Sequence, residues 1–100
     1  MEKRTPHYDL DAIKSVVKRV RLAAFTALAR QGARRMGLSD SETLDVVLGL
    51  GRNMLFKSMT THANHRVWQD VYHAPCPNGK VAYIKLTLQD GAVVIQFKEK

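Results

Sequence analysis

The chain contains a single cysteine, Cys76, and no long apolar run. One cysteine excludes an intrachain disulfide and a CxxC metal knuckle. A transmembrane helix needs about 18 or more consecutive apolar residues, and no segment comes near that length. The chain opens with MEKRTPHYDLD, which has acidic residues where a signal peptide has its apolar region. The sequence therefore predicts a protein that stays in the cytoplasm.

The signatures of common catalytic and cofactor sites are also missing. His62 and His65 are three residues apart with His73 nearby, but a zinc site needs a fourth ligand at a recognised spacing. We therefore interpret them as exposed loop histidines. Ser58 and Cys76 have no evident base and orienting acid beside them, which argues against a nucleophilic triad. A glycine-rich phosphate loop is absent too, so neither a metal nor another cofactor is predicted.

What the chain has is positive charge. Its 100 residues include 16 Lys and Arg against 9 Asp and Glu, which leaves a net charge of +7, and 45% of them are hydrophobic. This length and hydrophobic content predict one small domain over residues 1–100 with a single core. The charge predicts a polyanionic partner. Because the basic residues are scattered and not gathered on one amphipathic helix, nucleic acid or an acidic protein is favoured over a membrane.

The apolar periodicity changes from helical to alternating at Gly51. Helices are predicted over residues 9–20, 23–36 and 39–50, and strands over residues 54–60, 66–73, 80–89 and 92–99. Helices first and strands second indicate an α+β domain, with the N-terminal helices packed on one side of a mainly antiparallel sheet. Residues 1–8 are charged and contain Pro6, so they predict a poorly ordered arm that leads into the domain.

Single residues support the helix boundaries. Asp9 is placed to cap the first helix, and Ser39 begins a capping-box pattern at the third. In the second helix, Phe25 and Leu28 are expected to point inward, and Gly37 is expected to supply the left-handed turn at its end.

The sequence does not determine how the predicted strands at residues 66–73 and 80–89 are connected. Asn78-Gly79 is a turn signal, but Pro75 and Pro77 cannot donate to a ladder, so a regular hairpin there is doubtful. The register of the strand at residues 66–73 is therefore uncertain, and a slip of one residue would change which of its side chains face the core.

The last two strands are better determined, because Asp90-Gly91 between two alternating runs predicts a hairpin with a type I′ turn. A two-residue loop puts Tyr83 opposite Lys98. The face away from the apolar residues carries Tyr83, Lys85, Thr87, Val94, Gln96 and Lys98. Two lysines and a tyrosine thus fall in adjacent cross-strand pairs, where directly opposed Cβ atoms are about 5 Å apart, and like charges that close cost stability unless an anion joins them. The pattern is thus compatible with an ordinary solvated sheet surface or with a phosphate platform.

Four stretches of the chain carry a family resemblance: EKRTPH at residues 2–7, FKSMTT at 56–61, WQDVY at 68–72 and FKEK at 97–100. In residue identity, order and spacing they closely resemble the MqsR family, which consists of toxins of type II toxin–antitoxin systems with a RelE-like fold. The resemblance implies an endoribonuclease, an mRNA interferase that cleaves single-stranded mRNA at short GC-containing sequences without a metal and so inhibits translation and growth. It also implies a cognate antitoxin of the MqsA type, with a zinc-containing end and a helix-turn-helix end through which the complex would associate with DNA.

The family's active-site residues fall on Lys57, Gln69, Tyr83 and Lys98 of this sequence. We expect Lys57 and Lys98 to act on the phosphate, Tyr83 to transfer a proton or stack on a base, and Gln69 to orient the RNA. Further RNA contacts are expected from Lys85, Gln96, Arg52 and Arg66. If Lys98 or Tyr83 were dispensable, His7, His65 or His73 would become the acid/base candidates.

Two other functions remain compatible with the charge and with exposed aromatic residues. One is a non-catalytic basic RNA- or DNA-binding module, and the other is a protein-interaction domain whose basic face receives an acidic partner. The chain departs from the family pattern mainly in residues 21–36, in the THANH loop and in the APCPNG turn. These departures affect the expected RNA sequence preference and the antitoxin contacts.

Overall fold

Three helices lie against one face of a five-stranded sheet in the computed structural model, which describes residues 1–100. The helices are α1 (Leu10–Val20), α2 (Ala27–Arg35) and α3 (Asp40–Leu48), and the strands are β1 (Glu2–Lys3), β2 (Leu55–Thr60), β3 (Trp68–Pro75), β4 (Val81–Gln89) and β5 (Ala92–Glu99). The strands follow the order β1-β2-β3-β4-β5, and all neighbours are antiparallel. This confirms the predicted α+β class, whereas the RelE-like comparison stays a prediction. None of the helices has the length and hydropathy of a membrane span.

Two of the three helices begin where their caps predict. The side chain of Asp9 accepts a hydrogen bond from the Asp11 backbone N–H, and α1 follows it directly. At α3, Ser39 and Glu42 form the reciprocal capping box. Gly37 has φ of +84°, which confirms the left-handed turn after α2.

The start of the second helix differs from the prediction. Thr26 is extended, its backbone N–H donates to the Ile95 carbonyl of β5, and its hydroxyl accepts from the Ala29 N–H, so α2 begins at Ala27 and not at residue 23. Phe25 is buried as expected, but Leu28 is 77% exposed. The prediction that Leu28 points inward is wrong because the break at Thr26 resets the helical phase. Ala29 takes the core position instead.

α2 lies unusually close to β5. A Cβ atom on Gly32 would come within 2.4 Å of the Phe97 carbonyl oxygen, a distance that side chains do not tolerate. Gly32 therefore allows the helix to rest on the backbone of the edge strand. This approach fixes where the exposed start of α2 stands relative to the side chains of β4 and β5.

The β4–β5 hairpin has the predicted register. Asp90 and Gly91 have φ of +52° and +77°, as a type I′ turn requires, and Tyr83 is paired with Lys98. The inner face of the hairpin is fully apolar and buried against the helices: Ala82, Ile84, Leu86, Val93, Ile95 and Phe97. The inner face of the hairpin therefore forms one side of the hydrophobic core.

β3 and β4 also form a paired hairpin, so the doubt raised by the prolines was wrong. Pairing continues to Pro75 opposite Val81, and the Cys76 N–H donates to the Lys80 carbonyl at 2.8 Å. Pro75 lies beyond the part of β3 that β2 covers, because the β2 register begins at Leu55 opposite Tyr72. Its missing N–H therefore interrupts no bond to that neighbour.

The register of β3 is settled by a buried carboxylate. Asp70 is fully buried and accepts hydrogen bonds from the Ser58 hydroxyl at 2.7 Å and from the backbone N–H groups of His7 at 3.0 Å and Tyr8 at 2.9 Å. Together with the pairing of β1 on β2, these bonds hold residues 1–8 on the sheet. The prediction of a poorly ordered arm is therefore wrong. Asp70, which binds the arm, lies more than 60 residues away in the sequence, so the residues next to the arm did not indicate this contact.

Candidate active site

Six of the eight predicted site residues lie on the sheet face that points away from the helices. We call this the open face and define it by Lys57, Gln69, Tyr83, Lys85, Gln96 and Lys98. Lys57 is paired with Val71, Val71 with Lys85, and Lys85 with Gln96, so one cross-strand row runs over four strands. The neighbouring row contains Tyr83 and Lys98. Paired residues in an antiparallel sheet share a face, and the sheet thus brings these side chains together.

Tyr83 lies between two lysines. The Lys98 ammonium is 5.3 Å and the Lys85 ammonium 5.9 Å from the centroid of its ring, both within range of a cation–π interaction. The ion pairs of the protein are Lys57–Glu2 and Lys80–Glu99, so neither Lys85 nor Lys98 has a carboxylate partner. Two uncompensated cations over one phenol ring make a local anion-binding potential.

Lys57 has a different environment. Its ammonium lies 2.5 Å from a carboxylate oxygen of Glu2 in β1, and its side chain is only 19% exposed. The hydrogen bond and the charge of Lys57 lower the pKa of Glu2 below its usual range. Lys57 is therefore the site lysine that is already held in place by the protein.

Three aromatic rings form a row across the open face. Phe56 stacks on His73 with ring centroids 4.5 Å apart, and His73 lies 5.5 Å from Tyr83. Arg4 and Lys57 both lie 5.4 Å from the Phe56 ring. Strand alternation does not indicate Phe56 as a site residue, because a β-bulge between Leu55 and Lys57 changes the alternation of β2 at this point.

His73 is partly buried within strand β3, so the expectation of an exposed loop histidine is wrong for it. Its Nε2 atom is buried and has no hydrogen-bond partner. Burial, with a smaller effect from the charge of Lys100, lowers the pKa of His73 below its ordinary value. The neutral form of the ring is therefore favoured. His62 and His65 do lie in an exposed loop, as expected.

A cavity of about 330 Å³ lies at one end of the open face, between the start of α2 and the β4–β5 hairpin. Its walls are Thr26, Leu28 and Ala29 on one side and Tyr83, Lys85, Gln96, Phe97 and Lys98 on the other. The cavity is thus lined by Tyr83 and by the two lysines beside its ring, Lys85 and Lys98. The sequence did not predict this arrangement, because Leu28 was assigned to the core.

Two predicted site residues lie apart from the open face. Arg52 is in a 3-10 turn before β2. Burial and the charge of Asp70 raise the pKa of Tyr72 to about 12, and the charge of Arg52 acts against this increase. Tyr72 belongs to the buried inner face. Arg66 is in the exposed loop before β3. Neither side chain has a hydrogen bond, ion pair or cation–π contact with the open face.

Gln69 and the alternative histidines also have clear positions. Gln69 is on the open face, two residues from Val71, and its side chain makes no hydrogen bond. His7 stacks on Trp68 at 5.2 Å, on the opposite side of the sheet. His7 is therefore remote from the lysines of the open face. Of the three histidines considered as alternative acid/base residues, only His73 contacts that face, through Tyr83.

Two comparisons show which known proteins the chain is similar to. A family model described as motility quorum-sensing regulator, toxin of MqsA, matches residues 5–99. The mRNA interferase toxin MqsR of Escherichia coli (strain K12) is 38% identical over 100 residues, which cover 100% of both chains.

Proposed function

The chain belongs to the MqsR toxin family, and from this premise we propose that it is the toxin of a toxin–antitoxin pair and cleaves mRNA. The observation that carries the proposal is the position of Tyr83 between the unpaired lysines Lys85 and Lys98. Two neighbouring cations without a carboxylate partner repel each other, and a phosphodiester supplies the missing negative charge. The substrate is single-stranded RNA, cut at short GC-containing sequences, and the site of action is the cytoplasm.

The reaction that suits these residues is transfer within the RNA. The 2′-hydroxyl attacks the adjacent phosphorus and loses its proton, the bond from phosphorus to the 5′-oxygen breaks, and that oxygen takes up a proton. The products are a 2′,3′-cyclic phosphate and a 5′-hydroxyl. The negative charge that develops on the phosphoryl oxygens needs fixed cations. Lys98 and Lys57 supply that charge in our proposal, and no metal takes part.

The remaining residues position the RNA. Tyr83 lies at the centre of the cluster, where its hydroxyl transfers a proton to or from the reacting oxygens or its ring stacks on a base. Gln69 and Gln96 offer amide groups that hydrogen-bond the RNA, and Lys85 binds a flanking phosphate. Arg52 and Arg66 act only on RNA that extends beyond the open face, because neither contacts it.

We also propose a cognate antitoxin of the MqsA type as the protein partner. The description of the matched family names MqsA, which supports this choice. The net charge of +7 favours an acidic contact surface on that partner. Zinc and a helix-turn-helix would belong to the antitoxin, so that any association of the toxin with DNA is indirect.

The test is incubation of the purified chain with a defined single-stranded RNA in EDTA, followed by analysis of the fragment ends. We expect cleavage that leaves 2′,3′-cyclic phosphate. Tyr83→Phe should lose cleavage while keeping the fold when the hydroxyl transfers the proton, whereas retained cleavage would assign the ring to base stacking. Binding without cleavage, with or without added ribosomes, would identify a non-catalytic RNA-binding module instead. Cleavage that EDTA abolishes would contradict the metal-independent mechanism.

A further inference from the structure

We propose that the cavity between α2 and the hairpin is a subsite for one unpaired nucleobase, and that Leu28 is its specificity-determining residue. The inference rests on the proposed function and adds to it the part of the RNA that this end of the open face would bind. The base belongs to a nucleotide next to the cleaved phosphate.

The exposure of Leu28 is the first step of the argument. A single exposed leucine is common on protein surfaces and needs no explanation by itself. Leu28, however, is 77% exposed at the rim of a concave cavity. Its position is fixed by the Thr26 cap and by the close approach of α2 to β5 at Gly32. The apolar side chain is thus held out over the site by the fold.

The two walls of the cavity have different chemistry. One wall is mainly apolar, with Leu28 and Ala29 beside Thr26, and the other carries the ammonium groups of Lys85 and Lys98 and the amide of Gln96. No carboxylate lines it. A ligand that fits has a flat apolar face, hydrogen-bond acceptors on its edge and an attached negative charge. A nucleotide has all three features.

The size of the cavity separates RNA from a protein segment. Small-molecule pockets range from about 300 to 1,000 Å³, so a cavity of about 330 Å³ is at the lower end. One nucleotide fits this volume, whereas a helix or strand of a partner protein needs a longer groove. Tyr83 and Lys98 belong both to the cavity and to the proposed reaction centre, and this places the base beside the cleaved phosphate.

The experiment couples a protein change to an RNA change. Single-turnover cleavage is measured for wild type and Leu28→Ala on one RNA and on a set of RNAs, each with one abasic nucleotide near the cut. A base that covers Leu28 removes apolar surface from water, and that contribution is lost when either the base or the leucine side chain is removed. We therefore expect one abasic position to slow wild-type cleavage about tenfold, Leu28→Ala to slow cleavage of the intact RNA by a similar factor, and the two losses not to add.

Two matched variants control for the fold. Gln31→Ala changes another exposed residue of α2 and should cleave every RNA as wild type does. Leu28→Met keeps an apolar side chain and should restore most of the activity. Because Leu28 is exposed, Leu28→Ala should fold normally.

Several results would overturn the subsite. These are additive losses at every abasic position, wild-type activity of Leu28→Ala, and an effect of Leu28→Ala on inhibition by the antitoxin without an effect on cleavage. The last would identify a protein contact. If the wild type cleaves no RNA, the proposed function fails separately. The same coupling is then measured in the binding affinities of the oligonucleotides, where additivity contradicts the subsite.

Discussion

The carboxylate of Glu2 and the ammonium of Lys57 lie 2.5 Å apart and join the first strand to a residue of the proposed catalytic set. The pair contributes little to stability, because Glu2 is exposed to solvent. Its effect is on the site. The pair fixes Lys57 and brings a negative charge to the edge of a face that we expect to bind phosphate.

Glu2→Gln should therefore strengthen binding of single-stranded RNA. We expect about a twofold to fivefold gain in affinity at low salt, the range that an exposed charge pair supports. The salt dependence should steepen, because each phosphate contact adds about 0.7 to the slope of log K against log salt concentration. An oligonucleotide without 2′-hydroxyls allows binding to be measured without cleavage.

The control for Glu2→Gln is Glu99→Gln, which removes the carboxylate of the other ion pair, Lys80–Glu99. Equal gains in the two variants would mean that net charge alone governs binding. A weaker affinity of Glu2→Gln would show that Lys57 needs its partner to keep its position.

Asp70→Ala should destabilise the protein by about 2–4 kcal/mol, because it leaves the Ser58 hydroxyl and the N–H groups of His7 and Tyr8 without their acceptor. Urea unfolding measures the loss, and hydrogen exchange of the His7 and Tyr8 amides reports release of the arm. Asp45→Ala, at an exposed position of α3, is the control. Unchanged exchange at His7 and Tyr8 would contradict the role of Asp70.

Gly32→Ala should cost stability although alanine is the better helix former. The helix gains about 1 kcal/mol from the substitution, but the new methyl group meets the Phe97 carbonyl. Forcing a group into a packed contact costs about 1–3 kcal/mol, and displacement of α2 should also lower RNA cleavage. Calorimetry of Gly32→Ala beside Gln31→Ala measures the difference, and a raised melting temperature would refute the close approach.

His73 should make stability depend on pH. Its pKa is lower in the folded protein than in the unfolded chain, so between these two values the unfolded state binds more protons. Stability should then fall as pH decreases from about 6.5, the ordinary histidine value, towards the folded pKa. The charge of Lys100 acts in the same direction, because a nearby cation disfavours protonation of the imidazole.

Urea unfolding of His73→Phe between pH 5 and 8 tests this dependence. The variant should lose the part of the pH dependence that His73 contributes, whereas His62→Gln, in the exposed loop, should keep it. Identical pH profiles of His73→Phe and wild type would show that the imidazole is not desolvated.

The sequence predicted what depends on neighbouring residues. Asp90-Gly91 determined the hairpin, and with it the pairing of Tyr83 with Lys98, because a type I′ turn is a local preference. The caps at Asp9 and Ser39 are local for the same reason. What the sequence did not predict depends on distant partners. Thr26 breaks the second helix by bonding to Ile95, and Asp70 fixes the arm from the middle of the sheet.

The candidate site was predicted to a similar extent. Lys57, Tyr83 and Lys98 were found by alternation and by family resemblance, and they share the open face. The cavity at Leu28 was missed because the prediction continued the helix through Thr26. The contact of Phe56 with His73 was missed because it depends on the bulge in β2. Arg52 was included as a basic residue near the strand, but it lies beside the inner face.

Single-turnover cleavage of one RNA in EDTA compares two lysines that differ in their partners. Lys98 is unpaired beside Tyr83, whereas Lys80 pairs with Glu99 away from the open face. Loss of one group that stabilises developing charge typically lowers the rate by about 10²- to 10³-fold. We expect Lys98→Ala to show a loss of this size and Lys80→Ala to cleave as wild type does. Equal rates for the two folded variants would contradict the assignment of the open face as the active site.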